Sequence, residues 1–90
     1  MNGLVSIALA TFNGKKYLRD QLDSIYNQTY KNIEVIVSDD ASSDETIELL
    51  NEYKSKYGLK YYINDKNYGL ISNFQKAIEH CNGDYIALAD

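Results

Sequence analysis

Polar side chains that could do chemistry follow three apolar runs of the sequence. Thr11 follows the first run, the pair Asp39 and Asp40 follows the second, and Asp90 follows the last. Carboxylates suit two kinds of chemistry, because they accept hydrogen bonds from a nucleobase or ribose and also hold hard divalent cations that neutralise phosphate. The glycine-rich motifs of P-loop NTPases and dinucleotide enzymes are absent, so phosphate binding through a glycine loop is not supported.

Composition narrows the class of protein. The 90 residues suffice for one compact unit, and 44% hydrophobic with 24% charged residues is typical of a globular domain. A formal net charge of -4 and the absence of a basic cluster argue against nucleic-acid or membrane-surface binding through positive charge. The single cysteine, Cys81, cannot form an internal disulfide, and no stretch approaches the roughly 18 apolar residues of a membrane span. We therefore expect a cytoplasmic protein.

Four short apolar segments alternate with three segments of helical period, which predicts the elements that position the polar residues. The predicted strands are residues 5–9, 33–37, 60–63 and 85–89. The helical stripes consist of Leu18, Leu22, Ile25 and Tyr26, then Ile47, Leu50, Tyr53 and Tyr57, then Phe74, Ala77, Ile78 and Cys81. Successive β-α-β units predict an α/β, Rossmann-like fold with parallel strands. The strand order is either 3-2-1-4, half of a doubly wound sheet, or a flavodoxin-like order that begins 2-1-3.

Local signals predict where the helices begin and end. Ser42 and Glu45 form a capping box for the second helix, with Ser43 as an alternative N-cap. Gly58 is expected to end that helix in the left-handed conformation, and Ser72 is the expected N-cap of the third helix. These positions decide where each loop joins its helix.

The carboxyl ends of the strands are expected to hold the functional site. Ligands of open parallel sheets bind beyond these ends, where the strand order reverses. In the order 3-2-1-4, Thr11, Asp40 and Asp90 would lie on one rim. A purely structural interpretation is also open, since the Asp39–Asp40 pair can supply turn bonds at a helix start and residues 67–69 can form an ordinary turn.

Taken together, several segments resemble the front half of family 2 glycosyltransferases. The matching segments are residues 5–14, 28–30, 33–44, 67–69 and 83–90, so the resemblance covers nearly the whole chain. It implies half of a GT-A fold and an inverting transfer of a sugar from a nucleoside-diphosphate sugar to an acceptor hydroxyl, in bacterial cell-surface polysaccharide synthesis. The implied partners are a UDP- or dTDP-type donor and a saccharide or lipid-linked acceptor, with no nucleic acid.

The resemblance also implies which residues bind the nucleotide. Ala10, Thr11 and Phe12 would line the nucleotide site, and Asn67 would lie near it. Phe12 occupies a position where tyrosine is frequent in the family, so it would contribute packing without a hydroxyl group.

Asp39 and Asp40 would have different tasks in the resembling family. Asp40 would accept a hydrogen bond from N3–H of a pyrimidine base, which a carboxylate can do and an apolar side chain cannot. Asp39 would support the loop that carries it.

Asp90 would be the first carboxylate of the family's D-x-D motif, which faces Mg2+ or Mn2+ and the diphosphate. The catalytic base and the acceptor-binding half are expected beyond residue 90. We therefore expect residues 1–90 to be the nucleotide-sugar-binding N-terminal part of a glycosyltransferase domain, truncated at the start of D-x-D and inactive by itself.

Two other functions are compatible with parts of the pattern. A receiver-like signalling module would also use an Asp pair to bind Mg2+, although it would place the pair after the first strand, whereas Asp39 and Asp40 follow the second. The fourth strand would be an exposed edge in the order 3-2-1-4, and exposed edges favour self-association.

Overall fold

The computed structural model describes residues 3–89 and shows an α/β fold with one four-stranded sheet. The elements in chain order are β1 (Val5–Thr11), α1 (Lys15–Tyr26), β2 (Ile33–Asp39), α2 (Thr46–Tyr57), β3 (Lys60–Ile63), α3 (Leu70–Glu79) and β4 (Tyr85–Ala89). All three strand pairs are parallel, and the order is β3-β2-β1-β4. The predicted order 3-2-1-4 is confirmed, and the flavodoxin-like alternative is wrong.

Helices cover both faces of the sheet. On one face, alternate residues of β1 and β2 such as Leu9 and Val37 pack in a buried cluster with Leu22 of α1 and Leu50 of α2. On the other face, α3 packs against β1 and β2. Because both faces of the two central strands are covered, their middle residues, 7–9 and 35–37, are all apolar.

The two central strands extend further than the apolar pattern predicts. Both run two residues beyond their predicted ends, to Thr11 and Asp39, which are partners in the parallel register. The amide of Asp40 then donates to the carbonyl oxygen of Thr11 at 2.9 Å. The hydrogen-bonded pairing of β1 and β2 therefore continues through polar residues to the carboxyl ends of the strands, where the loops of the predicted site begin.

The start of α2 differs from the prediction. The helix begins at Thr46, and Ser42 makes no capping bond to it. Instead, the amide and hydroxyl groups of Ser42 both donate to the carboxylate of Asp39. The amide of Thr46 is bound by the Asp44 carboxylate at 2.9 Å. The predicted capping box is wrong because a buried carboxylate competes successfully for the Ser42 hydroxyl.

The start of α3 also differs from the prediction, whereas the end of α2 agrees with it. The third helix begins at Leu70 after Gly69, so Ser72 is not its N-cap. Gly58 follows α2 with φ of 79°, which confirms the predicted left-handed end. Among residues 3–89, no helix is long and apolar enough to cross a membrane.

Candidate functional site

A cavity of about 400 Å³ lies at the carboxyl ends of β1 and β2. Its walls come from the loop after β1, the loop after β2 and the start of α3. The lining residues are Ala10, Thr11, Phe12, Asp40, Asn67, Gly69, Leu70 and Asn73. The fold thus brings five of the six predicted nucleotide-binding residues to one cavity, and only Asp39 is not on its wall.

Asp39 is fully buried and binds the two loops on either side of it. Its Oδ1 accepts hydrogen bonds from the hydroxyl groups of Thr11 and Ser42, both at 2.6 Å, and its Oδ2 accepts from the amide of Ser42 at 2.8 Å. The carboxylate therefore connects the end of β1 to the start of the loop after β2.

Asp40 holds the loop between β3 and α3. Its side chain is 2% exposed, and its carboxylate accepts from Asn64 Nδ2 at 2.8 Å, from the Tyr68 amide at 2.9 Å and from the Gly69 amide at 2.8 Å. A carboxylate has about four lone-pair sites, and the Tyr68 amide shares two of them because it also lies 3.0 Å from the second oxygen, Oδ2. Asp40 can therefore hold the loop and accept one hydrogen bond from a ligand in the cavity when the Tyr68 amide keeps only one of its two bonds.

These contacts keep Asp40 ionised. Burial by itself raises the pKa of this carboxyl, because desolvation disfavours the charged form. Hydrogen bonds from the Tyr68 amide, the Asn64 side chain and the Gly69 amide favour the charged form and outweigh burial, so the pKa lies below its ordinary value. The cavity therefore presents a charged acceptor at neutral pH.

One asparagine of the site, Asn73, was not indicated by the sequence. Asn73 is buried on α3; its Nδ2 donates to the carbonyl oxygen of Thr11 at 3.2 Å, and its Oδ1 accepts from Asn64 Nδ2 at 3.0 Å. Asn73 lies four residues before the buried Ala77, on the core-facing stripe of the helix. A polar side chain at such a position was the available signal, because buried amides require partners.

The two loops beside the cavity contain residues with unusual backbone angles. Asn13 has φ of 48° and Ala41 has φ of 61°, both in the left-handed region. For a residue other than glycine this conformation costs about 1–2 kcal/mol. Asn13 offsets this cost with side-chain hydrogen bonds to the opposite loop, from the amides of Ser43 and Asp44 to its Oδ1.

The residues that the structure describes do not by themselves fit a divalent metal ion. No group of three or more His, Cys, Asp or Glu side chains is arranged to hold one within residues 3–89. Asp39 and Asp40 use their carboxylate oxygens for hydrogen bonds within the chain. The predicted ligand Asp90 lies outside the described residues.

A second cavity, of about 270 Å³, lies between α1 and α2 and has a different character. Its wall contains two exposed ion pairs, Lys15–Glu45 and Arg19–Glu52, each with an N···O distance of 2.7 Å. Because the charges are paired with each other and exposed to solvent, this cavity offers a ligand little. We therefore place the functional site at the carboxyl ends of β1 and β2.

Comparison with known proteins decides the family. The family profile described as Glycosyl transferase family 2 matches residues 6–90. The chain belongs to glycosyl transferase family 2. The match excludes the receiver-like alternative and confirms the family that the sequence resembles.

Curated relatives extend well beyond the matched segment. The abequosyltransferase RfbV of Salmonella typhimurium is 38% identical over 86 residues, which cover 91% of this chain and 26% of the relative. The chondroitin synthase of Escherichia coli is 36% identical over 87 residues, which cover 97% of this chain and 13% of the relative. The chain thus spans about a quarter or less of these two relatives.

Solved structures show the same fold. The TarS 1–349 structure from S. aureus in complex with UDP superposes with a TM-score of 0.89 at 28% identity, covering 96% of this chain and 26% of TarS 1–349. The mannosyltransferase PcManGT of Pyrobaculum calidifontis, in complex with GDP-Man and Mn2+, gives a TM-score of 0.87 at 24% identity, with the same coverage of each chain. At that lower identity the likeness to PcManGT concerns the fold alone.

Proposed function

We propose that this chain forms the nucleotide-binding part of the donor site of an inverting glycosyltransferase. The full-length enzyme would transfer a sugar from a nucleoside-diphosphate sugar to an acceptor hydroxyl, in synthesis of a bacterial cell-surface polysaccharide. The observation that carries the proposal is the cavity at the carboxyl ends of β1 and β2, with the ionised Asp40 in its wall. The TarS complexes with UDP and with UDP-GlcNAc, at 28% identity, support a uridine nucleotide as the ligand.

The proposed mode of binding follows from the chemistry of the wall. Phe12 is 52% exposed and offers an aromatic face on which a base can pack. Asp40 accepts a hydrogen bond from a base N–H, which uracil and thymine carry at N3 and cytosine lacks. Thr11 and Ala10 present strand-end backbone to the same cavity.

In this proposal, residues 3–89 bind the nucleotide, and the residues that carry out the transfer lie elsewhere in the full-length protein. We expect the general base that deprotonates the acceptor to come from the remaining part of the full-length protein, where the acceptor also binds. Binding of Mg2+ or Mn2+ remains a prediction that rests on Asp90. The chain by itself should bind nucleotide without turning over a nucleotide sugar.

Calorimetric titration of UDP into the chain and its Asp40→Ala variant tests the proposal. Loss of a hydrogen bond to a charged group costs about 1.5–3 kcal/mol, so Asp40→Ala should weaken binding by roughly tenfold or more. Since Asp40 also holds the loop between β3 and α3, Phe12→Ala serves as a second variant that changes an exposed side chain. It should weaken binding by about fivefold, because base packing contributes about 1 kcal/mol or more.

The matched control is Asp65→Ala in the same loop. Asp65 is exposed and accepts from the Tyr68 hydroxyl at 2.6 Å, but it does not line the cavity. Its variant should bind UDP within about twofold of the parent chain, less than the loss of one charged hydrogen bond. CDP should bind more weakly than UDP, because cytosine has no N3–H. Equal UDP affinity of the parent and Asp40→Ala, or no binding by the parent, would refute the proposal.

A further inference from the structure

The side chain of Phe12 is exposed, and hydrogen bonds of the preceding residue, Thr11, fix the backbone that carries it. The carbonyl oxygen of Thr11 accepts from the amide of Asp40 at 2.9 Å and from Asn73 Nδ2 at 3.2 Å. The Thr11 hydroxyl donates to Asp39 at 2.6 Å. Because the Phe12 ring is about half exposed, its orientation in the cavity depends on the backbone at both of its neighbours.

Asn13 fixes the backbone on the other side of Phe12. Its Oδ1 accepts hydrogen bonds from the amide of Ser43 at 2.8 Å and the amide of Asp44 at 3.3 Å. Its own amide donates to the hydroxyl of Ser42 at 2.8 Å. These bonds tie the loop after β1 to the loop after β2, with Asn13 in the left-handed conformation.

The contacts form a closed circuit around Phe12. The circuit runs from the Asn13 backbone amide to the Ser42 hydroxyl, from there to Asp39, and from Asp39 to the Thr11 hydroxyl. The Asn13 side-chain oxygen reinforces it by accepting from the next two amides of the same loop. Asn13 itself does not line the cavity, and its side chain is exposed, so it adds little to the buried core. Its contacts act on the shape of the cavity wall rather than on the packing of the sheet.

We propose that Asn13 is a positioning residue for the nucleotide, which sets the orientation of Phe12 by binding the loop after β2 through its side-chain oxygen. This inference rests on the proposed function, because it assigns the fixed ring to packing on a base. A residue that only stabilised the fold would change ligand affinity no more than other substitutions of equal destabilisation do. Removal of the Asn13 acceptor oxygen should reduce ligand affinity by more than that.

Three variants separate these effects. Asn13→Gly permits the same left-handed backbone but lacks the acceptor oxygen. Asn13→Asp retains an acceptor oxygen and tolerates the same backbone, so it is the rescue variant. Asn51→Gly, in the exposed part of α2, is matched for loss of stability, because glycine in a helix costs about 1 kcal/mol. The Asn51 side chain accepts a hydrogen bond from the Tyr61 hydroxyl, far from the cavity wall.

The affinity for UDP, from calorimetry, and the melting temperature, from thermal unfolding, are measured for the parent chain and all three variants. Asn13→Gly should weaken UDP binding by about fourfold, which does not exceed the loss expected from removing the Phe12 ring. Asn13→Asp should weaken it by less than about twofold, and Asn51→Gly should lower the melting temperature with unchanged affinity. The inference is overturned if Asn13→Gly binds like the parent or Asn13→Asp binds no better than Asn13→Gly. An affinity loss no larger than that of Asn51→Gly would overturn it as well.

A ligand-free measurement separates this inference from the proposed function. The backbone order parameter of the Phe12 amide, from ¹⁵N relaxation, should be near about 0.85 in the parent and below about 0.6 in Asn13→Gly. Asn13→Asp should restore the high value, and Asn51→Gly should leave it unchanged. If the parent chain fails to bind UDP, the proposed function is refuted. If the order parameter of the Phe12 amide is the same in Asn13→Gly as in the parent, the positioning role of Asn13 is refuted, whether or not UDP binds.

Discussion

Two neighbouring carboxylates perform different tasks because an extended chain sends successive side chains in opposite directions. Asp39 is the last residue of β2 and binds Thr11 and Ser42 within the structure. Asp40 turns to the other side and meets the loop before α3, where it lines the cavity. The Asp-Asp pair in the sequence is therefore one residue that ties two loops together followed by one residue in the wall of the cavity.

Asp40 should make the stability of the chain depend on pH. Its folded pKa lies below the ordinary value of 3.8, so its contribution is complete well above pH 3.8 and is lost as the pH falls through that value and below the folded pKa. Asp40→Asn should lower the free energy of unfolding at pH 7 by about 1–3 kcal/mol, since one acceptor oxygen of a buried group is lost. Urea unfolding at a series of pH values measures the difference.

The difference between the parent and Asp40→Asn should narrow as the solution is acidified, because the parent then carries a neutral carboxyl too. Asp20→Asn on the exposed surface of α1 is the control and should change the unfolding free energy little. A stability difference that is the same at pH 7 and at the acid end of the series would show that the charge of Asp40 does not hold the loop.

At the scale of elements, the strands could be predicted and their order narrowed to two, whereas the predicted starts of α2 and α3 were wrong. The apolar periods and the β-α-β sequence fix four parallel strands, because crossovers between parallel strands have one hand. The start of α3 was missed because the acceptor for the amides of Tyr68 and Gly69 is Asp40, 29 residues before Gly69. Capping signals are local in sequence, and so such a long-range contact does not appear in them.

The same limit explains which parts of the site were predicted. Ala10, Thr11, Phe12 and Asp40 follow directly from strand ends, so their meeting at the cavity could be expected from topology. Asn73 reaches the site from α3, and its role depends on how that helix packs over β1. That packing is a tertiary property which a helical stripe alone does not specify.

The junction between α3 and β4 depends on a close backbone approach at Gly83. A Cβ atom at this residue would lie 2.6 Å from the Ser6 hydroxyl oxygen and 2.7 Å from the Leu4 carbonyl oxygen. The Gly83 amide donates to the same Ser6 hydroxyl at 2.7 Å. A side chain here would therefore separate the start of β4 from β1.

Gly83→Ala should lower the free energy of unfolding by about 1–3 kcal/mol, since the added methyl group overlaps backbone atoms that cannot move easily. Chemical denaturation measures this change. Gly14→Ala is the matched control, because a Cβ there meets no atom within 4 Å and φ is negative, at -97°. Equal stability of Gly83→Ala and Gly14→Ala would contradict the close approach.

At the scale of the whole molecule, β4 is the edge strand that lacks the usual protection. Its five residues, Tyr85–Ala89, include no charged residue and no proline, and Leu88 is 63% exposed. The opposite edge, β3, is only four residues long and contains Lys60. Short edges and lysine discourage pairing with other chains, so the two edges of the sheet differ in their tendency to associate.

We expect two copies of this chain to associate through their β4 edges. Backbone groups on the open side of β4 would pair, and apolar side chains such as Leu88 and Ile86 would be covered. Sedimentation over a wide range of protein concentration should show a dimer whose population rises with concentration. Leu88→Lys should abolish it, whereas Ile71→Lys, which adds the same charge at an 84% exposed apolar residue on α3, should leave the dimer intact. A parent chain that stays monomeric at every concentration, or equal loss of the dimer in both variants, would show that the β4 edge does not mediate association.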